Sequence, residues 1–186
     1  MNPVPQHSTA IGGLPSPLAT AADFRQGMRR LAGAVTVIAA RPEDGSPRGL
    51  AATAVCSVTT EPAALLACVN QTSSLGSLIA VGLPFTVNVL GAHHEELARA
   101  FGGMLGMDQP SRFQLGDWRE APNGAPMLAD ALVSFACHVS RTVEFSSHVI
   151  VIGEVEHVAV HEDGAPLANL IYHNGAFRQI GDSAQA

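Results

Sequence analysis

From Ala34 to Ile180 the apolar residues come mostly in short runs with a period of two, broken by Gly, Pro, Asn and Ser, which is the pattern of β-strands joined by turns. The runs are "AVTVIAA" (34–40), "RGLAATAVCSVT" (48–59), "AALLACVN" (63–70) and "PFTVNVL" (84–90), followed by "ALVSFACHVS", "SHVIVIGEVEHVAV" and "ANLIYHNGAFRQI". Val133, Phe135, Cys137 and Val139 alternate with Ser134, Ala136, His138 and Ser140, as a strand with one buried face requires. Gly153, inside the longest run, predicts a bulge where the wall bends. Helical spacing occurs in three places. "ADFRQGMRRL" sets Phe24, Met28 and Leu31 at i, i+4, i+7 behind Asp23 as N-cap; "SSLGSLIAVG" predicts a short helix; "HHEELARAFGG" puts Leu97, Ala98 and Phe101 on one face. Residues 102–127, rich in Gly, Pro and Asp and holding Trp118, read as an irregular excursion.

Strands this close together, joined mainly by turns and not by crossover helices, predict a mainly β chain: an antiparallel barrel with accessory helices. No internal repeat and no linker divides it. The expected organisation is a flexible arm over residues 1–20, rich in Pro, Gly, Ser and Thr, one domain over 21–181 and a tail over 182–186.

Composition narrows the chemistry. A chain of 186 residues that is 47% hydrophobic and 14% charged has a surface short of charge, which suits a surface covered by a partner subunit. The net charge of −6 leaves no basic face for nucleic acid. There is no lysine, and all 10 basic residues are arginine, which excludes a Walker A loop and a lysine Schiff base. Cys56, Cys68 and Cys137 are far apart and set among small or apolar neighbours, so buried reduced thiols are expected. The longest nearly apolar run is too short to cross a membrane and no leader pattern opens the chain; the expected location is cytoplasmic.

No G-x-G-x-x-G follows a strand and no G-x-S-x-G surrounds a serine. His93-His94 beside Glu95-Glu96 lacks the H-E-x-x-H spacing, and adjacent side chains on a helix diverge, so a solvated helix start is expected there and no metal. One stretch stands out. From Ala51 to Ser57 a strand is built almost wholly of small residues. Such a strand lets a flat ligand lie against the backbone, where main-chain N–H and C=O groups reach its edge; it equally admits a close-packed helix or subunit.

The order of the segments separates these readings. "GLAATAVCSVTTEPAALLACVNQTSS", "FTVNVL", "ELARAFGG", "RF", "ALVSFACHV", "FSSHVIVIGEV" and "LIYHNGAF" follow one another as in the flavin reductase-like split-barrel family, which the chain resembles from Phe24 to about Ile180. That family includes the reductase components of two-component flavin monooxygenases, such as the 4-hydroxyphenylacetate, phenol and chlorophenol systems. The resemblance implies a six-stranded antiparallel Greek-key split β-barrel, a homodimer, and FMN or FAD at the dimer edge. It implies hydride transfer from NADH, with NADPH as the alternative donor, and delivery of diffusible reduced flavin to a monooxygenase partner. Residue by residue, Ala52, Thr53, Ala54, Val55, Cys56 and Ser57 resemble the wall against which the isoalloxazine lies. Asn70, Ser73 and Ser74 resemble the turn that takes the ribityl chain and phosphate, where a helix beginning near Ser74 would offer amides. Phe101 resembles a second-wall contact, and Tyr172 and His173 the far side of the nicotinamide pocket. His148 matches the histidine over the flavin's reactive face, with a positioning and charge-stabilising role. Ser146 stands where the family usually opens this motif with glycine, and Asn174 where it often has arginine. The rival readings are a same-fold reductase of a corrinoid or ferric iron, and a non-catalytic flavin- or haem-binding module.

Overall fold

A computed structural model describes residues 19–43, 45–161 and 168–181; most of the expected arm and the whole of the expected tail lie outside the described residues. The elements are α1 (Ala21–Met28), β1 (Gly33–Ala34), β2 (Thr36–Ala40), β3 (Arg48–Ala52), β4 (Val55–Thr60), β5 (Ala63–Asn70), β6 (Pro84–Val89) and α2 (Glu95–Phe101). They continue with α3 (Gln109–Arg112), β7 (Trp118–Glu120), β8 (Pro126–Leu128), β9 (Val133–Phe145), β10 (His148–Val160), β11 (Asn169–His173) and β12 (Ala176–Ile180). The protein is mainly β.

The principal sheet is antiparallel and holds seven strands in the order β3-β2-β6-β9-β10-β5-β4, where the resemblance implied six. Its two edge strands, β3 and β4, are consecutive in the chain, joined only through Thr53 and Ala54. The sheet must therefore curl until these two edges approach each other at the link, with no ladder of hydrogen bonds between them. Ala54 O accepts from Cys68 N at 3.0 Å, which pins the link to β5. Smaller sheets, β1-β11-β12 and β7-β8, lie beside the main one.

The curled sheet buries Ile38, Leu65, Phe85, Val87, Val139 and Val151 inside itself. A second core of Val35, Val37, Leu90, Leu97, Phe101 and Leu170 packs α2 and β11 against the sheet's outer face. All of β2 is consequently buried, on both faces. The same doubling breaks the clean alternation expected of β9, where Ser134 and Ala136 are as buried as Cys137. Ser134 is accommodated because its hydroxyl donates to Asn88 Oδ1 at 2.8 Å, which also accepts from Leu128 N at 2.9 Å. Asn88 Nδ2 donates to Val37 O at 3.0 Å and Thr86 Oγ1 at 2.9 Å, so one buried amide joins β2, β6, β8 and β9 with its donors and acceptor satisfied.

The expected bulge is present: the β9–β10 register shifts between Ile152 and Gly153. A Cβ at Gly153 would stand 2.4 Å from Phe85 Cζ, so the missing side chain is the space the ring fills. Elsewhere the structure departs from the sequence pattern. The run 48–59 is two strands, because the chain crosses from one sheet edge to the other at Thr53–Ala54. "ANLIYHNGAFRQI" is a hairpin: Asn174 and Gly175 both take positive φ (51° and 80°), as a two-residue type I′ turn demands. The helix expected after Ser74 is only a single 3₁₀ turn, Gly76–Leu78. α1 is capped by Thr20, whose Oγ1 accepts from Asp23 N at 3.1 Å; Asp23 sits in the first turn. The helix ends at Met28, short of Leu31, and the apolar side chains expected to share its face are not buried in this chain, Phe24 being 63%, Met28 48% and Leu31 63% exposed. Of the three free thiols only Cys137 is buried, and burial pushes its pKa up to about 12; Cys68 is half-buried and Cys56 exposed.

Candidate active site

A groove of about 580 Å³ opens beside the Thr53–Ala54 link. It brings together eight of the residues expected at the site: Ala52, Thr53, Ala54, Asn70, Ser73, Ser74, Phe101 and His148. Each is placed by the fold. β3 ends at Ala52 and leaves the small residues 53 and 54 exposed, with no side chain over the backbone larger than threonine. His148, the first residue of β10, stands opposite Asn70, the last of β5, so the histidine and the turn face each other across one pair of the ladder. Ser147 Oγ lies 2.9 Å from His148 Nδ1. Ser146 is held at φ 53°, so the position where glycine was expected does require the left-handed conformation.

The turn after β5 is built from its own polar groups. Asn70 Oδ1 accepts from Thr72 N and Thr72 Oγ1, both at 2.9 Å, while Ser73 Oγ donates to Asn70 O at 2.7 Å and accepts from Gly76 N at 2.9 Å. A Cβ at Gly76 would come within 2.0 Å of Asn70 O, so the turn closes this tightly only around glycine. The expectation of helix amides aimed at a phosphate is corrected here. The helix is one 3₁₀ turn, and the amide of Gly76 is already engaged by Ser73. Phe101 forms part of the groove wall although it is 2% exposed; a Cβ at Gly49 would lie 2.7 Å from its ring, which explains a glycine in the middle of β3.

The far wall comes from residues 102–112, within the stretch 102–127 whose sequence predicts an irregular excursion. Asp108 caps α3 through a carboxylate that accepts from Ser111 N at 2.9 Å, and hydrogen bonding from the Ser111 side chain, then from its amide, holds the Asp108 pKa below the ordinary carboxylate value. Gln109 then reaches back to β3: its Oε1 accepts from Gly49 N at 2.9 Å, and its Nε2 donates to Gly49 O at 3.0 Å and to Ser74 Oγ at 2.7 Å. One side chain thus stands in for the strand that the edge of β3 lacks. Arg112, also on the groove, donates from Nε to Met107 O at 3.0 Å. The signal for this wall was Asp108 followed by Pro110, a helix start inside a glycine-rich stretch.

A second groove, about 710 Å³, lies on the other side of the same link. It shares Thr53 and Ala54 with the first and adds Val55, Cys56 and Tyr172 among the expected residues, closed by α1 through Phe24 and Met28. Tyr172 packs edge-on against Phe177 at 5.2 Å. Ser57, exposed on β4, and His173, half-buried at the end of β11, line neither groove.

Away from both grooves, His93 and His94 do not diverge as expected. They lie in a 3₁₀ turn, and both approach Asp130, His93 Nε2 at 3.5 Å and His94 Nε2 at 3.1 Å. The three could in principle hold a cation, their ligand atoms all lying within 4.8 Å of one another. However, Gly91 N donates to His94 Nδ1 at 3.2 Å, so a neutral His94 carries its proton on Nε2, the atom facing Asp130. Burial pulls the His94 pKa below its ordinary value, and Asp130 only partly opposes it. We read His94, itself buried, together with the half-buried Asp130 as a cap on the turn before α2. No helix among the described residues is long and apolar enough to cross a membrane.

The described residues thus form a curled antiparallel sheet with a groove over a backbone link of small residues and a histidine at its rim. The chain belongs to the flavin reductase-like family: the family described as "Flavin reductase like domain" matches residues 28–181. It is 36% identical over 157 residues to the 4-hydroxyphenylacetate 3-monooxygenase reductase component of Pseudomonas aeruginosa, covering 84% of this chain and 90% of that protein. It is 33% identical over 181 residues to the FMN reductase (NADH) RutF of Ancylobacter novellus, covering 97% of each. Among solved structures, the NADH:FAD oxidoreductase SgcE6 of Streptomyces globisporus, in complex with NAD and FAD fragments, superposes with a TM-score of 0.76 at 27% identity, over 88% of this chain and 94% of that one.

Proposed function

We propose that the protein is an NAD(P)H:flavin oxidoreductase that takes a hydride from NADH, passes it to FMN or FAD, and releases the reduced flavin to a monooxygenase partner. The observation that carries this reading is the groove over Thr53–Ala54, closed at one rim by His148 and Asn70, in a chain of this family. The residues present fit a flavin. Exposed backbone at 53–54 accepts a planar ring at contact distance, and Ser73, Ser74 and Arg112 supply polar atoms where a ribityl phosphate would leave it. Bound flavin would supply the hydride-accepting ring; the protein supplies position. Transfer needs the donor and acceptor rings stacked and shielded from water, so the donor enters the same groove over the flavin, at the rim where His148 stands. His148 at the rim positions the donor and stabilises charge that develops on the acceptor.

The reading extends to assembly. α1 and the turn that follows it leave Phe24, Met28 and Leu31 exposed, and edge strand β4 is open to solvent along Cys56–Thr60. An apolar helix face beside an uncovered sheet edge is the pattern a second copy would cover, so we read the functional unit as a homodimer of Greek-key split barrels. A cytoplasmic location follows from the same role. The test is NADH consumption by the purified protein with FMN, FAD or riboflavin added in turn. Turnover that requires added flavin is the expected result; no turnover with any flavin from a folded protein would refute it.

A further inference from the structure

His148 stands at the groove rim, and among the described residues its ring has one hydrogen-bond partner: Ser147 Oγ, 2.9 Å from Nδ1. Adjacent residues on a strand send their side chains to opposite faces, so a contact between neighbours needs a particular turn. β9 ends at Phe145 and β10 begins at His148, and these two residues pair, which leaves Ser146 and Ser147 as a two-residue loop. Of the two only Ser146 takes a positive φ, 53°, the pattern of a type II′ turn, which favours glycine at that first position. The loop is anchored as well: Gln71 N donates to Ser147 O at 3.0 Å, joining it to the turn after β5. Asn70, opposite His148, has its Oδ1 engaged by Thr72 N and Thr72 Oγ1 within its own turn. The left-handed serine thus turns the chain so that the next hydroxyl folds back onto His148.

We infer that Ser147 is a positioning residue: its hydroxyl donates to Nδ1 and holds His148 as the neutral tautomer with the proton on Nε2, so that the ring offers the groove an N–H donor. The inference rests on the reductase reading above and adds how the histidine is set for it. A hydroxyl proton needs an acceptor, the Ser147 hydroxyl has no other partner among the described residues, and Nδ1 accepts only when the imidazole proton is on Nε2. Nε2–H is then the group left for the groove, a donor already in place for the negative charge that arrives with the hydride. The hydroxyl achieves this without adding a charge. A carboxylate at the same point would accept from Nδ1 and favour the imidazolium, so that Nε2 would be a donor only while the ring stayed protonated.

The experiment compares Ser147→Ala, Ser147→Thr and Ser147→Asp with the unaltered full chain in two measurements. The first is the long-range ¹H–¹⁵N spectrum of the histidine rings in the flavin-free protein at about pH 8, with His148 assigned among the eight histidines by the signal lost in His148→Gln. The unaltered chain and Ser147→Thr should show the Nε2–H tautomer, Ser147→Ala a mixture of the two, and Ser147→Asp the Nδ1–H form. The second is stopped-flow flavin reduction at saturating NADH and FMN. Ser147→Ala should be slower by about threefold to tenfold, the size of one net hydrogen bond, with the apparent Kd for NADH within about twofold, and Ser147→Thr should keep most of the rate. Ser147→Asp should lose rate as pH rises from about 6 to about 9, a limb that Ser147→Thr lacks. An Nδ1–H tautomer in the unaltered chain, or a tautomer or a rate left unchanged by Ser147→Ala, would overturn the positioning role. Failure of the unaltered protein to reduce any flavin would instead overturn the reductase reading, and the flavin-free spectrum would still decide the serine–histidine contact. Melting of each variant separates misfolding from lost positioning, since Ser147 is exposed and Tm should hold within about 2 °C.

Discussion

Replacing Gln109 tests how the groove is held open. Its amide gives two hydrogen bonds to the backbone of Gly49 and one to Ser74, so Gln109→Ala leaves a buried glycine N–H and C=O facing the place the amide had filled. Each backbone bond is worth about 1 kcal/mol net, and water entering from the open groove recovers part of the loss, which gives a destabilisation of about 1–3 kcal/mol. For a chain of this length that corresponds to a fall in Tm of about 2–4 °C per kcal/mol. The groove should suffer with the fold, because the same amide fixes Ser74 and the 102–112 wall. We expect the Kd for FMN, followed by quenching of flavin fluorescence, to rise about tenfold, or about 1.4 kcal/mol. Gln109→Met fills similar volume without hydrogen bonds and should behave like alanine. Gln109→Glu keeps an acceptor for Gly49 N but sets a carboxylate against Gly49 O, and should be no better. Urea midpoints and FMN affinity unchanged in all three variants would refute the bracing role.

Three further outcomes are expected. His148→Ala should slow flavin reduction at saturating NADH and FMN by about tenfold or more in stopped-flow while Tm holds; an unchanged rate would remove His148 from the site. Ser146→Gly should stabilise the protein by about 0.5–1 kcal/mol in urea denaturation. A left-handed serine costs about 1–2 kcal/mol, and the extra freedom of glycine in the unfolded chain returns part of it; a destabilised variant would contradict this. His94 has a folded pKa below its ordinary value of 6.5, so below that pH the unfolded chain takes up a proton that the folded one resists. Stability from this group is complete above pH 6.5 and is lost as pH falls through 6.5 towards the folded pKa; urea midpoints at pH 7.5 and 5.5 should differ less in His94→Gln than in the unaltered chain.

Much of this was legible in the chain. β5 begins and ends where its run of apolar residues does, and the bulge at Gly153 was visible because a glycine inside a strand has few other uses. The thin strand marked the groove, and family order led to His148 and Asn70. Other features depended on contacts that periodicity does not carry. The break at Thr53–Ala54 is set by the curl of the whole sheet, and no local residue announces it. The Asn174–Gly175 dipeptide did carry a hairpin signal, but the apolar residues on both sides made a continuous strand equally natural. Gln109 lies 60 residues from Gly49, and an amide that completes a sheet edge has no sequence signature of its own. The convergence of His93 and His94 was missed because both rings turn to Asp130, a residue remote in sequence to which no local spacing points.

The two-residue link between the sheet edges also limits how this protein can change. Thr53 and Ala54 belong to both grooves at once, so a side chain enlarged there narrows two compartments with one substitution. A change that reshapes one compartment then reshapes the other, and the two cannot drift apart through this wall. Independent tuning has to come from the outer walls, the 102–112 segment on one side and α1 on the other. Relatives with the same link but different partners should differ most in those two stretches.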